Sequence, residues 1–486
     1  VFTNSNHVGF LEKFGVNAKG VAPDASEGLQ HPKMKEFMRT GDMRYFKEYT
    51  NETKQPRRKS FAKTVDDQYE AIRKFSPQLI LATPLELVNG AVFGRMFEVP
   101  VINCNLFTMK PSKYVTTFLN EPCFSYYAWW LVHKKLYDRF MEEKMPIFQE
   151  KFGAQLAGCP VWPSFQAYMH EVMNPIAPEL LGFSPSLMAR PKDWPRSLDP
   201  VHITGFWVVG EEEQRSGRSS KFGGKNIGAL EAFLAEGEAP PAYIGWGSMI
   251  AGSGESMALL AVRSLRLAKV RGIILGGWAK LSAEMVRGAP DANELEAYIA
   301  SSVLFLESAP HEWLFPRCSV TVHHGGAGTL ATAIRSGVPT IITPCFFDQY
   351  ANGNLVAESG VGLKMQQLSK VTPQQLSEAI TRCTTDTSMR ENARQMGDAL
   401  QQEDGLDAAT AIIDQFTTGE LAAGTWRKKF DALRGRGQMK SGGTLGGLCC
   451  APCTADSDVE TLPAGAGADA GGRPTLLQGG AEARGR

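Results

Sequence analysis

Residues 309–362 read APHEWLFPRCSVTVHHGGAGTLATAIRSGVPTIITPCFFDQYANGNLVAESGVG, and the seven residues HHGGAGT at 323–329 decide how the chain folds. Ser319 to Val322 is short and β-branched, while Gly328 to Ser336 has the apolar spacing of an amphipathic helix. The glycines therefore sit where a strand gives way to a helix. Gly325, Gly326 and Gly328 carry no Cβ to hold a ligand off the backbone, and the first helical turn offers free N–H groups and the positive end of its dipole. Such a junction binds anions, phosphate above all. A second strand, Pro339 to Phe346, then delivers Asp348 and Gln349 to its carboxyl end, where open α/β sheets bind ligands. A carboxylate beside an amide reads hydroxyl groups. Phosphate cradle and polyol reader together suggest a nucleotide sugar.

The run PHEWLFP, six residues, HHGGAGT, eighteen residues, DQ resembles the donor motif of the UDP-dependent family 1 glycosyltransferases, and within them most that of the sterol 3β-glucosyltransferases. Upstream, FTM (Phe107 to Met109), FSPSL (Phe183 to Leu187), DWP (Asp193 to Pro195) and TGFW (Thr204 to Trp207) extend the likeness over most of residues 1 to 416. The resemblance implies an α/β chain of the GT-B fold, in which two Rossmann-like domains face each other across a donor and acceptor cleft. It implies a donor site of Gly247, Ser248, Ala309, His311, His324, Gly326, Ala327, Gly328, Thr329, Asp348 and Gln349. Uracil would meet backbone groups around Ala309 and His311, the diphosphate would meet His324, the 327–329 helix start and the Ser248 turn, and the sugar would meet Asp348 and Gln349. No metal and no other cofactor is expected, since UDP-glucose is a co-substrate and such enzymes use helix dipoles and side chains. The family's acceptor-activating base follows a first strand that has no counterpart here, so the catalytic base is expected upstream of Val1, with His7 the first substitute to test.

At 486 residues the chain has room for two or three domains, and 43% apolar residues can fill their cores. Lys+Arg and Asp+Glu number 51 each, which leaves no global field to attract nucleic acid or acidic membranes. Most of the nine scattered cysteines, such as Cys104, Cys318 and Cys345, read as reduced buried thiols rather than a disulfide framework. With no secretory segment and no 18-residue apolar span, a cytoplasmic location is expected, with peripheral membrane contact left open. The opening Val1 suggests an N-terminally truncated sequence.

Four regions are expected. Residues 1–209 form an acceptor-binding Rossmann-like domain lacking its first strand and helix, and 210–228 a linker. Residues 229–418 form the nucleotide-sugar domain, and 419–486 a low-complexity, disordered tail. Asn51 to Lys63 reads as a solvated loop entering a helix at Ala62 to Phe75. Residues 108–182 are dense in aromatics, Phe118, Phe124, Tyr126, Tyr127, Trp129, Trp130, Tyr137, Phe140 and Phe148, most of them core, in a region that resembles the family's acceptor insertion. Cys449, Cys450 and Cys453, and the DxD-like Asp456 to Asp458, lie in the tail without partner ligands and read as chance. Three functions compete: glucosyl transfer from UDP-glucose to a sterol or similar lipid, transfer to another small apolar acceptor, and donor or lipid binding without catalysis.

Overall fold

The computed structural model describes residues 1–115, 125–158, 160–218 and 220–439. Phe118 and Phe124, and the cysteine and DxD-like groups of the tail, lie outside them. Six strands belong to the first half: β1 (Phe2–Asn4), β2 (Lys19–Ala22), β3 (Ile80–Ala82), β4 (Val101–Asn105), β5 (Glu179–Leu181) and β6 (Val201–Ile203). They fall into two parallel sheets, β1-β2 and β3-β4-β5-β6. The second half supplies β7 (Ala242–Gly245), β8 (Gly272–Leu275), β9 (Val303–Leu306), β10 (Val320–His323), β11 (Thr340–Ile342) and β12 (Gly362–Lys364). All are parallel, in the order β12-β11-β10-β7-β8-β9. Continuous burial of β7, β8, β10 and β11 matches their Ile- and Val-rich sequences, because helices cover both faces of such a sheet.

That order fixes where a ligand can sit. From β7 the chain winds outward through β8 and β9, then returns to the other side of β7 and winds outward through β10, β11 and β12. Adjacent helical connections leave from opposite faces at the β7/β10 boundary, which opens a crevice at the carboxyl ends of those two strands. Gly247 to Met249 and His323 to Gly326 both lie there.

Two seams join the halves. Phe183, Met188 and Phe206 of the first half bury against Leu330, Ala331 and Ile334 of the helix Ala327–Arg335. Ser184 and Ser186 donate hydrogen bonds of 2.8 and 2.6 Å to one oxygen of Glu403. On the other side of the crevice Met34 and Met38, on the helix Pro32–Thr40, bury with Ile250 against Trp278 and Phe346. The FSPSL motif, whose resemblance favours a sterol acceptor, and TGFW thus serve at least as interdomain packing. DWP acts within its own half: Asp193 accepts from Ser112 Oγ at 2.9 Å and from the Lys113 N–H at 2.7 Å.

Three sequence expectations need correction. Asn51 to Lys63 is helical, carried by the helices Met43–Glu52 and Lys54–Phe75. The 210–228 stretch is no featureless linker, since it holds the helix Glu211–Arg215 and the 3-10 turns Ser220–Phe222 and Gly224–Asn226, with Phe222 packing on Phe10 and Phe14 of the first half. Nor does the fold end at residue 418. Residues 417–421 continue as a π-turn and Thr425–Met439 is a helix. Its Trp426 and Phe430 bury against Ile102, Ala177 and Leu180, so this helix covers the four-stranded sheet of the first half. Arg427 and Arg434 both bind the Glu98 carboxylate, anchoring the same helix at its polar rim. Composition misleads there because two aromatics within one helical turn suffice to dock a helix that is otherwise charged. Among the described residues no helix is long and apolar enough to cross a membrane.

Trp426→Ala is expected to cost about 3–5 kcal/mol, the usual loss for a buried large aromatic. The readout is a lower denaturation midpoint of the first domain. An unchanged midpoint would show that the helix is not part of the fold.

Candidate donor site at the strand switch

The crevice is built from three turns. At the end of β7 the Met249 N–H donates to Trp246 O at 3.0 Å, and Gly247 takes φ +56°, a conformation side chains rarely allow. Trp246 Nε1 donates to Thr343 Oγ1 at 2.9 Å, which ties this turn to the end of β11. At the end of β10 the Gly325 N–H donates to His323 Nδ1 at 3.0 Å, and His323 Nε2 lies 2.9 Å from Thr340 Oγ1. An acceptor Nδ1 leaves the proton on Nε2, so His323 is a neutral brace that curls the chain toward the helix. Gly325 follows with φ +87°. A Cβ on Gly326 would lie 2.5 Å from His324 Nε2.

The helix Ala327–Arg335 starts from Gly326, which has no side chain to cap it, and a Cβ on Gly328 would meet nothing within 4 Å. Its first turn therefore faces open space with N–H groups to spare. The His324 ring borders that space beside Gly247, and its buried Nδ1 has no hydrogen-bond partner. Burial pushes the His324 imidazole down to about 4. It is neutral at pH 7, able to donate one N–H to an anion without carrying charge.

At the third turn Asp348 heads the helix Gln349–Glu358. Burial raises its carboxyl to about 6, against the pull of its own N–H, the Asn352 amide and the Ala327 N–H. The carboxylate that the sequence assigns to sugar hydroxyls therefore also reaches the start of the phosphate-cradle helix. Gln349 is differently placed. Its Oε1 accepts from the Cys345 and Phe346 N–H groups at 2.7 and 3.2 Å, and its Nε2 lies 3.4 Å from Met249 Sδ. In this structure the amide braces the loop before Asp348 and joins it to the β7 turn.

Ala309 and His311 follow β9. His311 Nε2 lies 3.2 Å from Tyr243 Oη, and the ring stacks on Phe315 with centroids 4.5 Å apart. Its side chain is thus part of the packing, and burial lowers its pKa to about 4. The loop backbone is held from the linker: Asn226 Nδ2 donates to Ser308 O at 2.6 Å, and the Glu312 N–H to Gln214 Oε1 at 3.3 Å. Ser248 stands half-buried in the β7 turn, and Thr329 in the first turn of the cradle helix. Sequence reasoning missed His323, Asn352 and Gln214. Asn352 Nδ2 donates both to Gly325 O at 2.8 Å and to Asp348 Oδ2 at 3.2 Å, joining glycine turn to carboxylate. Its signal was available, an amide four residues after Asp348 and so on the same helix face.

Comparison with known proteins bears on the fold. Residues 273–405 match the family described as erythromycin biosynthesis protein CIII-like, C-terminal domain. The spinosyn rhamnosyltransferase SpnG superposes with a TM-score of 0.51 at 16% identity, covering 85% of this chain and 91% of that one. The calicheamicin glycosyltransferase CalG4 gives 0.54 at 14%, covering 86% and 90%. The fold is GT-B, and residues 273–405 resemble the CIII-like C-terminal domain. In sequence the chain is 35% identical over 255 residues to the sterol 3-beta-glucosyltransferase of Emericella nidulans, and 32% identical over 255 residues to that of Penicillium rubens. Each match takes in 52% of this chain and 17% of the relative, so the GT-B chain spans less than a fifth of those proteins' length.

The buried imidazoles of the second domain contribute to its response to acid. His311 and His324 titrate near 4 and His323 well below 6.5, all held down first by burial. Folded values below the unfolded 6.5 mean that stability is complete above pH 6.5 and is lost as pH falls toward 4. Asp348 acts with the opposite sign, its contribution being lost as pH rises from about 4 to about 6. His324→Gln is expected to recover about 2–3 kcal/mol of the acid-side loss, read from denaturant midpoints between pH 7 and 4. Identical pH slopes for variant and wild type would refute the assignment.

Proposed function

We propose that the chain moves glucose from UDP-glucose to the 3-hydroxyl of a sterol or similar lipid, with inversion at the anomeric carbon. The observation that carries this is the unpartnered, buried Nδ1 of His324 beside the uncapped first turn of the Ala327–Arg335 helix, at the switch point of the sheet. That arrangement fits a diphosphate, whose negative charge grows as the bond to the anomeric carbon breaks. The acceptor oxygen forms the new bond, the departing UDP keeps the electron pair, and the acceptor proton passes to a base. His324 and the N–H groups from Ala327 to Thr329 stabilise the leaving diphosphate, with the Gly247–Ser248 turn closing over it. In this reading no metal takes part.

Asp348 holds sugar hydroxyls once the diphosphate occupies the helix start, and Gln349 keeps the loop in place for it. The Ala309–His311 backbone, fixed by Gln214 and Asn226, reads the uracil. His7 is poorly suited to the role of base, because its Nδ1 lies 2.6 Å from Lys221 Nζ. Glucose and the sterol come from the names of the similar fungal proteins and from the resemblance in the donor motif.

His324→Ala is expected to lower turnover by about 10²-fold, as loss of one transition-state donor does elsewhere, with the fold kept. Labelled UDP-glucose with a panel of sterols and other lipids provides the assay. Near wild-type turnover, or label on another acceptor and none on sterol, would overturn the reading. Asp348→Asn is expected to weaken UDP-glucose binding while leaving UDP binding in place, as measured by calorimetry. An equal loss for both ligands would refute the division of the site.

A further inference from the structure

Transfer to a hydroxyl needs a group in the first half to take the acceptor proton, and the fold narrows where that group can stand. Phe183 and Phe206, which follow β5 and β6, meet the cradle helix on one side of the crevice. The helix Pro32–Thr40, which follows β2, meets Ile250 and Phe346 on the other. Behind these seams the helix Lys54–Phe75 carries both sheets of the first half: Thr64 Oγ1 donates to Val21 O of β2 at 2.5 Å, and Val65 and Ile72 pack with Phe2 of β1 and Ile80 of β3. The strands β3 and β4 therefore lie between the two seams. They run parallel to β5, so their carboxyl ends open toward the second half as its end does.

The turn Pro84–Glu86 leaves β3 at this rim and brings a carboxylate with it. Glu86 Oε2 accepts from Gln68 Nε2 at 3.0 Å and from Asn89 Nδ2 at 2.8 Å, and Asn89 Nδ2 also donates to Gln68 Oε1 at 2.9 Å. The three side chains close a triangle, and both amides are only 3% exposed, so the carboxylate is held by groups that are themselves fixed. Among the described residues nothing donates to Glu86 Oε1, and Asn89 Oδ1 is buried with no partner. Two acceptors without a donor suit a ligand that brings a hydroxyl proton. Leu85 in the same turn and Leu106 just past β4 are 83% and 40% exposed, which gives the carboxylate an apolar border. Other first-half carboxylates are engaged: Glu179 by Lys110 and Asn103, Asp193 by Ser112 and the Lys113 N–H. We infer that Glu86 is the catalytic base of the transfer. Its Oε1 takes the hydroxyl proton as the acceptor oxygen bonds to the anomeric carbon, the bond to the diphosphate breaks, and UDP leaves with the electron pair. Glu86 then returns the proton to solvent. The inference rests on the transfer reading and places the base within the chain, where the resemblance implied one upstream of Val1.

Turnover of labelled UDP-glucose with cholesterol, measured beside binding of UDP and of cholesterol, tests the assignment on the full chain. Wild type is expected to transfer glucose. Glu86→Gln, which keeps an oxygen for the two amides, should lower kcat by about 10³-fold, with both binding constants and the denaturation midpoint unchanged. In Glu86→Ala, added formate should raise turnover by about tenfold, because a small carboxylate can enter the space and accept the proton. A group that merely tied the Lys54–Phe75 helix to the β3 turn would show no such rescue. Near wild-type turnover in Glu86→Gln would overturn the inference, and so would a loss in Glu86→Ala that formate does not relieve. Wild type that binds UDP and cholesterol yet transfers nothing would overturn it as well, the base then lying elsewhere. Failure of wild type to bind UDP or cholesterol would instead sink the transfer reading on which the base depends.

Discussion

One hydrogen bond, from the Gly325 N–H to His323 Nδ1, organises the donor side of this protein. It forces the chain to curl as it leaves β10, so that Gly325 enters the left-handed region and Gly326 starts a helix with no cap of its own. On the proposed reading this turn, with no side-chain cap from Gly326, is where the anion binds. Everything around it holds that start in place: Asn352 grips the Gly325 carbonyl, Asp348 reaches the Ala327 N–H, and Trp246 ties the β7 turn to β11. His324 adds its donor from above. A neutral imidazole can donate one N–H to the proposed diphosphate, whose charge grows as it departs.

The same helix carries the site into the rest of the molecule. Its buried side, Leu330, Ala331 and Ile334, receives Phe183 and Phe206 from the first half, while its open end faces the crevice. A shift of the first half against the second is therefore transmitted to the cradle through packed side chains, with Glu403 pinning Ser184 and Ser186 at the rim. Across the crevice the helix Pro32–Thr40 packs on Ile250 and Phe346, next to the β7 turn and the Asp348 loop. Closure of the two halves and the shape of the donor turns are thus one mechanical problem.

Much of this was legible in the sequence, for physical reasons. β-Branched runs flanked by glycine and proline give the strands of the second domain, and the glycine cluster at 325–328 marks the turn from strand to helix. What was not legible depended on contacts distant along the chain. The 210–228 stretch reads as a linker because its composition is polar, yet Gln214 and Asn226 spend their amides on the 308–312 loop. Trp426 and Phe430 were lost in a low-complexity surround. Gln349 was read as a hydroxyl binder, since an amide's chemistry is visible in sequence and its partners are not. The spacing of the aromatics between 126 and 148 likewise separates poorly into buried and exposed, because burial depends on which face of the helix meets its neighbours.

The central claim is that the helix start at Ala327, with His324, is a diphosphate site. Calorimetric titration of wild-type protein with UDP and with uridine monophosphate tests it most directly, because the two ligands share the base and sugar and differ in the phosphate that this cradle would hold. The account predicts that UDP binds at least about tenfold more tightly, the effect of one helix N-terminus and one added donor. Equal affinities would contradict it.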